Sequence, residues 1–384
     1  MAERNATKVD VEMLTGLGVF FTVISQAKVM WNNVAFEAMP HIIWFLLLLT
    51  VFVKRRNLDL DIKFFAVLFL FDLFLLIAQI TTGKEYLSSN LVIPIHLSAY
   101  VYMVAYNVGK VSRISIFQRA AKYYVASVIL LSVFIYINAF HGRDWLNSAY
   151  YLYGAKNSAA PIIVVGALLI IIFDLFRSKI LKTAVMTFLI VLVFMMKARS
   201  SITGLFVSIL YYSFVGVKGD RKKFVYAAVI FATVFLVFTN SYLYDLVINR
   251  IILINRYNAD LDEIASGRIS QIKMSKNIFP LAPLVGHGGF SIDSFPLVSL
   301  ASYGILGSIP VFMLSTYPFL KRLKRTVLDQ SEKIEKLIVI LGLFMWVVGV
   351  FEELSPFGPD TRCFMLWTMA GLYSGIQAKE QYNV

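Results

Sequence analysis

Residues 180–217 read ILKTAVMTFLIVLVFMMKARSSITGLFVSILYYSFVGV, two apolar runs that meet at Lys197-Ala198-Arg199. Each run is long enough to cross a bilayer as a helix, so the stretch predicts a tight transmembrane hairpin with two cations at its tip. The pattern repeats on either side. Apolar runs separated by charge clusters fall at 13–30, 34–53, 62–80, 90–109, 120–139, 159–176, 180–196, 199–217, 222–240, 296–319, 335–352 and 361–377. The first has an amphipathic end (Ser25, Gln26, Lys28), which leaves an interfacial placement and eleven spans as the alternative. Composition agrees: 59% of the 384 residues are AVILMFWYC and 15% are charged, where a soluble domain has about half and about a quarter. The expected fold is all-α, a polytopic integral membrane protein of about 12 transmembrane helices in a single membrane domain, 1–384. No cleavable signal peptide is expected, since further spans rather than a small-residue cleavage site follow the first run.

The net charge of +13 is compatible with nucleic acid, anionic lipid or membrane topology. Its distribution selects topology. With the N-terminus inside, 24 Lys/Arg fall in inner segments, 11 in outer ones, and Lys28 inside a span. Both termini are then cytoplasmic. Basic hinges are not one continuous stripe, so nucleic acid is not an expected partner. Two outer loops are long, about 140–158 and 241–295, the second lying between spans nine and ten; its stretch 242–254 is amphipathic and predicts helices at the outer surface. Cys363 is the only cysteine and the four histidines are scattered, so neither a disulfide framework nor a metal site is expected.

Outer basic residues run against the positive-inside rule and need local reasons. Arginine's planar fork suits phosphate, which makes Arg143, Arg199, Arg256 and Arg268, with Lys197, candidates for binding a lipid pyrophosphate; headgroup contact and snorkelling are the rival explanation. A second constellation occupies 266–307: Ser266-Gly267-Arg268, then Pro283-Leu-Val-Gly286-His287-Gly288-Gly289, Asp293-Ser294, and a span containing Gly304-Ile-Leu-Gly307. A glycine-rich turn allows amides to approach an anion, and Gly304 and Gly307 allow close helix packing.

This arrangement of a basic-Ser hairpin, Gly-Arg, Pro-x-x-G-x-G and a polar pair before a Gly-Ile-x-Gly helix resembles the O-antigen polymerase and ligase superfamily, the polymerases (Wzy) most closely, over roughly residues 190–310. The resemblance implies a polytopic helical bundle of the bacterial inner membrane that transfers glycans from undecaprenyl pyrophosphate on the periplasmic side, with no metal and no cofactor. It assigns pyrophosphate binding to Arg199 and Arg268. It also implies an arginine separated from a glycine by ten residues in each large loop, matched by Arg143 with Gly154 and Arg256 with Gly267. Donor and acceptor would both be undecaprenyl-pyrophosphate-linked glycans, with membrane lipid and a chain-length regulator protein as further partners. One departure stands out: Asp293-Ser294 occupies the place of the family's His-Asn.

Such a reaction needs a base for the acceptor hydroxyl and positive charge for the leaving pyrophosphate. Asp293 is the first candidate base, against a helix-capping role, and His287 the second, against simple tolerance in a surface turn. Accessory candidates are Glu37 and His41, four apart on one helix face, and Glu352 with Glu353 at the end of span eleven. Asp72, deep in span three, needs a hydrogen-bonding neighbour, and Asp174 can snorkel beside Arg177. Tyr150, Tyr151 and Tyr153 are sugar-stacking candidates whose rival role is an interfacial aromatic belt. Asp260-Leu-Asp262-Glu263 has the form of a short metal-binding pattern. The expected function is a polymerase of lipid-linked repeat units, with an O-antigen ligase, disfavoured by the missing histidine, and a flippase, disfavoured by the scarcity of midplane charges, as the alternatives.

Overall fold

The computed structural model describes residues 2–25, 34–216, 228, 232–233, 235–256, 259–327, 332–357 and 362–382. Among these every regular element is helical. The principal helices are α1 (Ala2–Ile24), α2 (Val34–Arg55), α3 (Ile62–Thr82), α4 (Val92–Val111), α5 (Ser115–Ile135), α6 (Lys156–Phe173), α7 (Lys179–Met195) and α8 (Arg199–Tyr211). After the long connecting segment come α9 (Arg268–Ile278), α10 (Phe295–Thr316), α11 (Leu320–Val327), α12 (Lys333–Phe351) and α13 (Phe364–Tyr382). Each expected span except the ninth overlaps one of these helices, with different bounds; 222–240 lies largely outside the described residues, as do residues 26–30 of the first.

Among the described residues, six helical stretches are long and apolar enough to cross a membrane: Ile62–Thr82, Val92–Val111, Ser115–Phe140, Lys156–Phe173, Phe295–Thr316 and Lys333–Phe351. The apolar part of α1, Val11–Ile24, is shorter than a crossing requires. Within α3 only 28% of the apolar window is buried, and Phe69, Leu70, Ile77 and Ile80 are exposed. A water-soluble protein would not leave such a face uncovered, whereas hydrocarbon solvates it. Span boundaries differ from expectation where a local stop exists. α6 ends at Phe173 because Asp174 turns left-handed, with φ 50°. Asp174 then pairs with Lys182 at 2.8 Å rather than with Arg177, and this partner holds its carboxyl below the ordinary value. Asp72 does find a partner, His96 Nε2 at 3.1 Å.

Helices α4 and α13 make the most intimate contact. Gly109, Gly371 and Gly375 face the opposing backbone, and a Cβ on Gly371 would sit 2.6 Å from the Tyr102 carbonyl oxygen. In lipid, where apolar burial between helices gains little, such backbone approach supplies the packing energy. Gly375 is the tightest point, since a Cβ there would overlap the Tyr106 carbonyl. Gly375→Leu is therefore expected to cost about 3 kcal/mol or more, read as a lowered Tm of the detergent-solubilised protein.

The glycine-rich loop and α10 form one unit. Gly304 breaks α10 with φ 61° and ψ −165°, and the loop docks into the break. His287 N donates to Ala301 O at 2.9 Å and Gly288 N to Ser302 O at 2.9 Å, while Ile305 N and Leu306 N donate to Pro283 O and Leu284 O at 2.9 and 3.0 Å. The amides of Gly286 and Gly289 are satisfied by Ala282 O and Glu85 O at 2.8 and 3.0 Å. This corrects the anion-cradle reading of the turn: all four amides are satisfied within the protein. Gly304 serves the kink, and only Gly307 does the expected close packing, against the Phe74 ring of α3.

Candidate functional site

The hairpin between α7 and α8 is as tight as its sequence implies. Lys197 takes φ 53°, a left-handed conformation that costs a non-glycine residue roughly 1 kcal/mol, and is stabilised there by burial and by its ammonium. Lys197 Nζ donates to Ser148 O at 2.7 Å and to Leu146 O at 3.4 Å, tying the hairpin to the first long connection. Burial pulls this ammonium below its ordinary lysine value, opposed by the charge of Asp144. Lys197 is thus a fastening side chain, and of the two hairpin cations it is Arg199 that lines a cavity.

That cavity, about 320 Å³, lies where α6 and α8 begin, α12 ends, and the segments before α9 and α10 converge. Arg199, Arg268, Asp293 and Glu352 line it together with Lys156 and Tyr151. Its volume falls within the range of about 300–1,000 Å³ common for small-ligand sites. Residues separated by up to about half the chain thus meet at one end of the bundle.

Each side chain is positioned by a particular contact. Arg199 Nη2 donates to Ser266 Oγ at 2.6 Å and its Nη1 to the Ile264 carbonyl, so the hairpin arginine clasps the long connection. Ser266 (φ 58°) and Gly267 (φ 78°) turn the chain into α9, whose first residue is Arg268. Arg268 Nη2 donates to Phe351 O at 2.9 Å and stands 3.8 Å from Glu352 Oε1. Its Nε is buried with no partner among the described residues. Glu352, just beyond α12, has Arg362 Nη1 3.9 Å from Oε2 and receives Ser200 Oγ at 3.5 Å. Burial raises the Glu352 carboxyl above the ordinary carboxylate value and Asp293 acts the same way, while Arg362 and Arg268 pull it down; the net direction is up.

Asp293 does not cap α10. Ser294 is the N-cap residue of α10 and makes no side-chain bond, while Asp293 pairs with Gln271 of α9: its N donates to Oε1 at 3.0 Å and its Oδ2 accepts from Nε2 at 3.3 Å. Its carboxylate stays at the cavity wall. Lys156, at the first position of α6, has Nζ over the Tyr151 ring and within 3.4 Å of Lys197 O. Of the three candidate tyrosines, Tyr151 reaches the cavity, Tyr150 is exposed and Tyr153 is buried in the core.

Other predicted residues lie elsewhere. His287 Nε2 is 2.9 Å from Ile278 O and Nδ1 is 3.5 Å from Lys84 Nζ, in the docked loop and outside the cavity lining. Glu353 accepts from Asn90 Nδ2 at 3.0 Å and Ser291 Oγ at 2.8 Å, fastening the loops. Arg143 and His41 are exposed and away from the cavity; the side chain of Glu37 lies outside the described residues. Arg256 donates to Glu263 O at 3.5 Å and is near enough to interact electrostatically with Lys156 and Arg199. Asp260 caps a helical turn by accepting from Glu263 N at 2.7 Å, and Asp262 accepts from Ser270 N at 3.0 Å and from the Ser270 hydroxyl, which holds its carboxyl below the ordinary value. Both acids of the short Asp-x-Asp pattern thus serve the loop, and among the described residues no group of three or more His, Cys, Asp or Glu side chains converges.

The sequence reading missed Lys156 and Arg362 as members of the site. Both belong to the outer basic minority, but each adjoins an apolar run and reads as an interfacial anchor. Next to the polar cavity lies a second one of about 440 Å³, which shares Ala265, Arg268, Asp293 and Phe351 and is otherwise mainly apolar, with Ile272, Leu297 and Val350 in its wall. The chain matches no protein-family model, and no curated protein matches it in sequence.

Proposed function

We propose that the protein is a polysaccharide polymerase that joins undecaprenyl-pyrophosphate-linked oligosaccharide repeat units into O-antigen or capsular polysaccharide. The observation that carries this reading is the paired cavity: a cation-rich pocket containing two carboxylates, continuous through Arg268 and Asp293 with an apolar groove. An amphiphile with an anionic head and a hydrocarbon tail is the ligand class that such a pair fits. The charge bias of the loops supports a topology in which both termini are cytoplasmic and the paired cavity opens on the periplasmic face of the inner membrane.

In this mechanism the pyrophosphate of the donor lies between Arg199, Arg268 and Lys156, whose charges offset that of the departing group. The acceptor hydroxyl attacks the anomeric carbon as the bond from that carbon to the pyrophosphate oxygen breaks. The proton passes to Glu352, the more buried of the two carboxylates, whose proton affinity is raised by that burial. Asp293, anchored by Gln271, receives a hydrogen bond from the acceptor and orients it. Tyr151 offers a ring face to a sugar. For an α-linked donor, direct attack inverts the anomeric centre.

Deletion of the gene, followed by gel analysis of surface polysaccharide, tests the reading. The expected result is loss of the polymer ladder with a single repeat unit still attached to its final acceptor. Loss of every glycan-bearing form, with lipid-linked polymer accumulating, would instead make the protein a ligase.

A further inference from the structure

The opposite end of the bundle holds another cavity, of about 550 Å³, among the start of α3, the ends of α4, α10 and α13, and α11. We propose that it binds the phosphodiester headgroup of an anionic phospholipid, with the glycerol and upper acyl chains against α3 and α10.

Four cations, Lys63, Lys321, Arg322 and Arg325, line it against two carboxylates. Each carboxylate is engaged through at least one oxygen, while Glu335 Oε2 is buried with no partner among the described residues. Asp61 accepts from the Tyr102 and Tyr317 hydroxyls at 2.6 and 2.8 Å, and Glu335 pairs with Arg325 at 2.9 Å. Arg322 is fixed in place: Nη2 donates to Ser374 Oγ at 2.9 Å and its guanidinium lies 5.2 Å from the centre of the Tyr373 ring. Lys63 and Lys321 are exposed and form no ion pair among the described residues. The cavity therefore presents one preorganised guanidinium and two free ammonium groups, the arrangement that a phosphodiester satisfies.

The remaining wall says which phosphate compound fits. Val67 of α3 and Met313 of α10 line the same cavity, and Met313 is 51% exposed, as is Leu320 at 57%. A free phosphate ion gains nothing from these apolar surfaces, whereas the acyl chains of a lipid cover them. Basic pockets between membrane helices recognise anionic headgroups by this combination. The site shares no residue with the pyrophosphate cavity, so the inference stands independently of the proposed activity.

Native mass spectrometry of the purified protein, titrated separately with phosphatidylglycerol and phosphatidylcholine, tests it. One phosphatidylglycerol is expected to be retained preferentially, and Lys63→Gln/Lys321→Gln should weaken that retention about thirtyfold, since each interfacial cation contributes roughly 1 kcal/mol. Arg113→Gln/Lys122→Gln removes the same charge outside the cavity and should leave retention unchanged. Both pairs are exposed, so folding is expected to survive, which circular dichroism checks. Equal retention of the two lipids, or full retention by Lys63→Gln/Lys321→Gln, would overturn the proposal. Displacement of phosphatidylglycerol by millimolar inorganic phosphate would overturn the lipid assignment in favour of a free anion.

Discussion

Arg268→Ala is expected to reduce polymer formation about 10³-fold, the loss typical when one group aimed at a developing anion is removed, with the protein still present in the membrane. Arg268 combines two roles: among the described residues it is the cation that lines both cavities, and it holds the end of α12 through the Phe351 carbonyl. Arg268→Lys keeps the charge but not the planar fork and should recover only a minor share of the rate. Arg199→Ala is expected to fall similarly, because it removes a cavity cation and frees the Ile264–Ser266 segment that positions Arg268. Quantified polysaccharide ladders beside immunoblots of the membrane fraction check all three. Full ladders from Arg199→Ala and Arg268→Ala would remove the pyrophosphate assignment.

The second large effect concerns Glu352. As a general base it must be ionised, and its carboxyl is shifted upward by burial. The rate should therefore fall on acidification at a pH above the ordinary carboxylate range, as Glu352 takes up its proton. Glu352→Gln is expected to lower the rate by about 10²–10⁴-fold and to abolish this acid limb. Asp293→Asn should reduce the rate while the limb remains, because Asp293 orients and does not accept the proton. A limb that survives in Glu352→Gln and vanishes in Asp293→Asn would exchange the two roles. pH–rate profiles of the three proteins decide the matter.

The helical character of the chain was legible from its apolar runs because membrane-length hydrophobicity is a signal carried by each segment alone. The helix ends were less so: at the start of α6 the Lys156 ammonium finds the nearby Tyr151 ring and the Lys197 carbonyl, and the second of these is remote in sequence. Arg199, Arg268 and Asp293 could be picked out because charges beside apolar runs need reasons, and the structure brings them to one cavity. His287 shows the opposite case. A histidine among glycines resembles a catalytic turn, yet those glycines serve the docking of the loop into the Gly304 break, a relation between segments that no local pattern contains. Glu352 and Glu353 are adjacent and chemically alike, but one faces the arginines and the other the Asn90–Ser291 contact. Which of two neighbouring carboxylates faces the site depends on the chain direction after α12, which follows from packing.

Reconstitution tests the central claim most directly. The purified protein, in liposomes with an undecaprenyl-pyrophosphate-linked repeat unit as the sole substrate, is assayed for glycan length and for released undecaprenyl pyrophosphate. The account predicts a ladder of products with one undecaprenyl pyrophosphate released for each new glycosidic bond, and neither from Arg268→Ala. Intact substrate that changes leaflet without chain growth would contradict it.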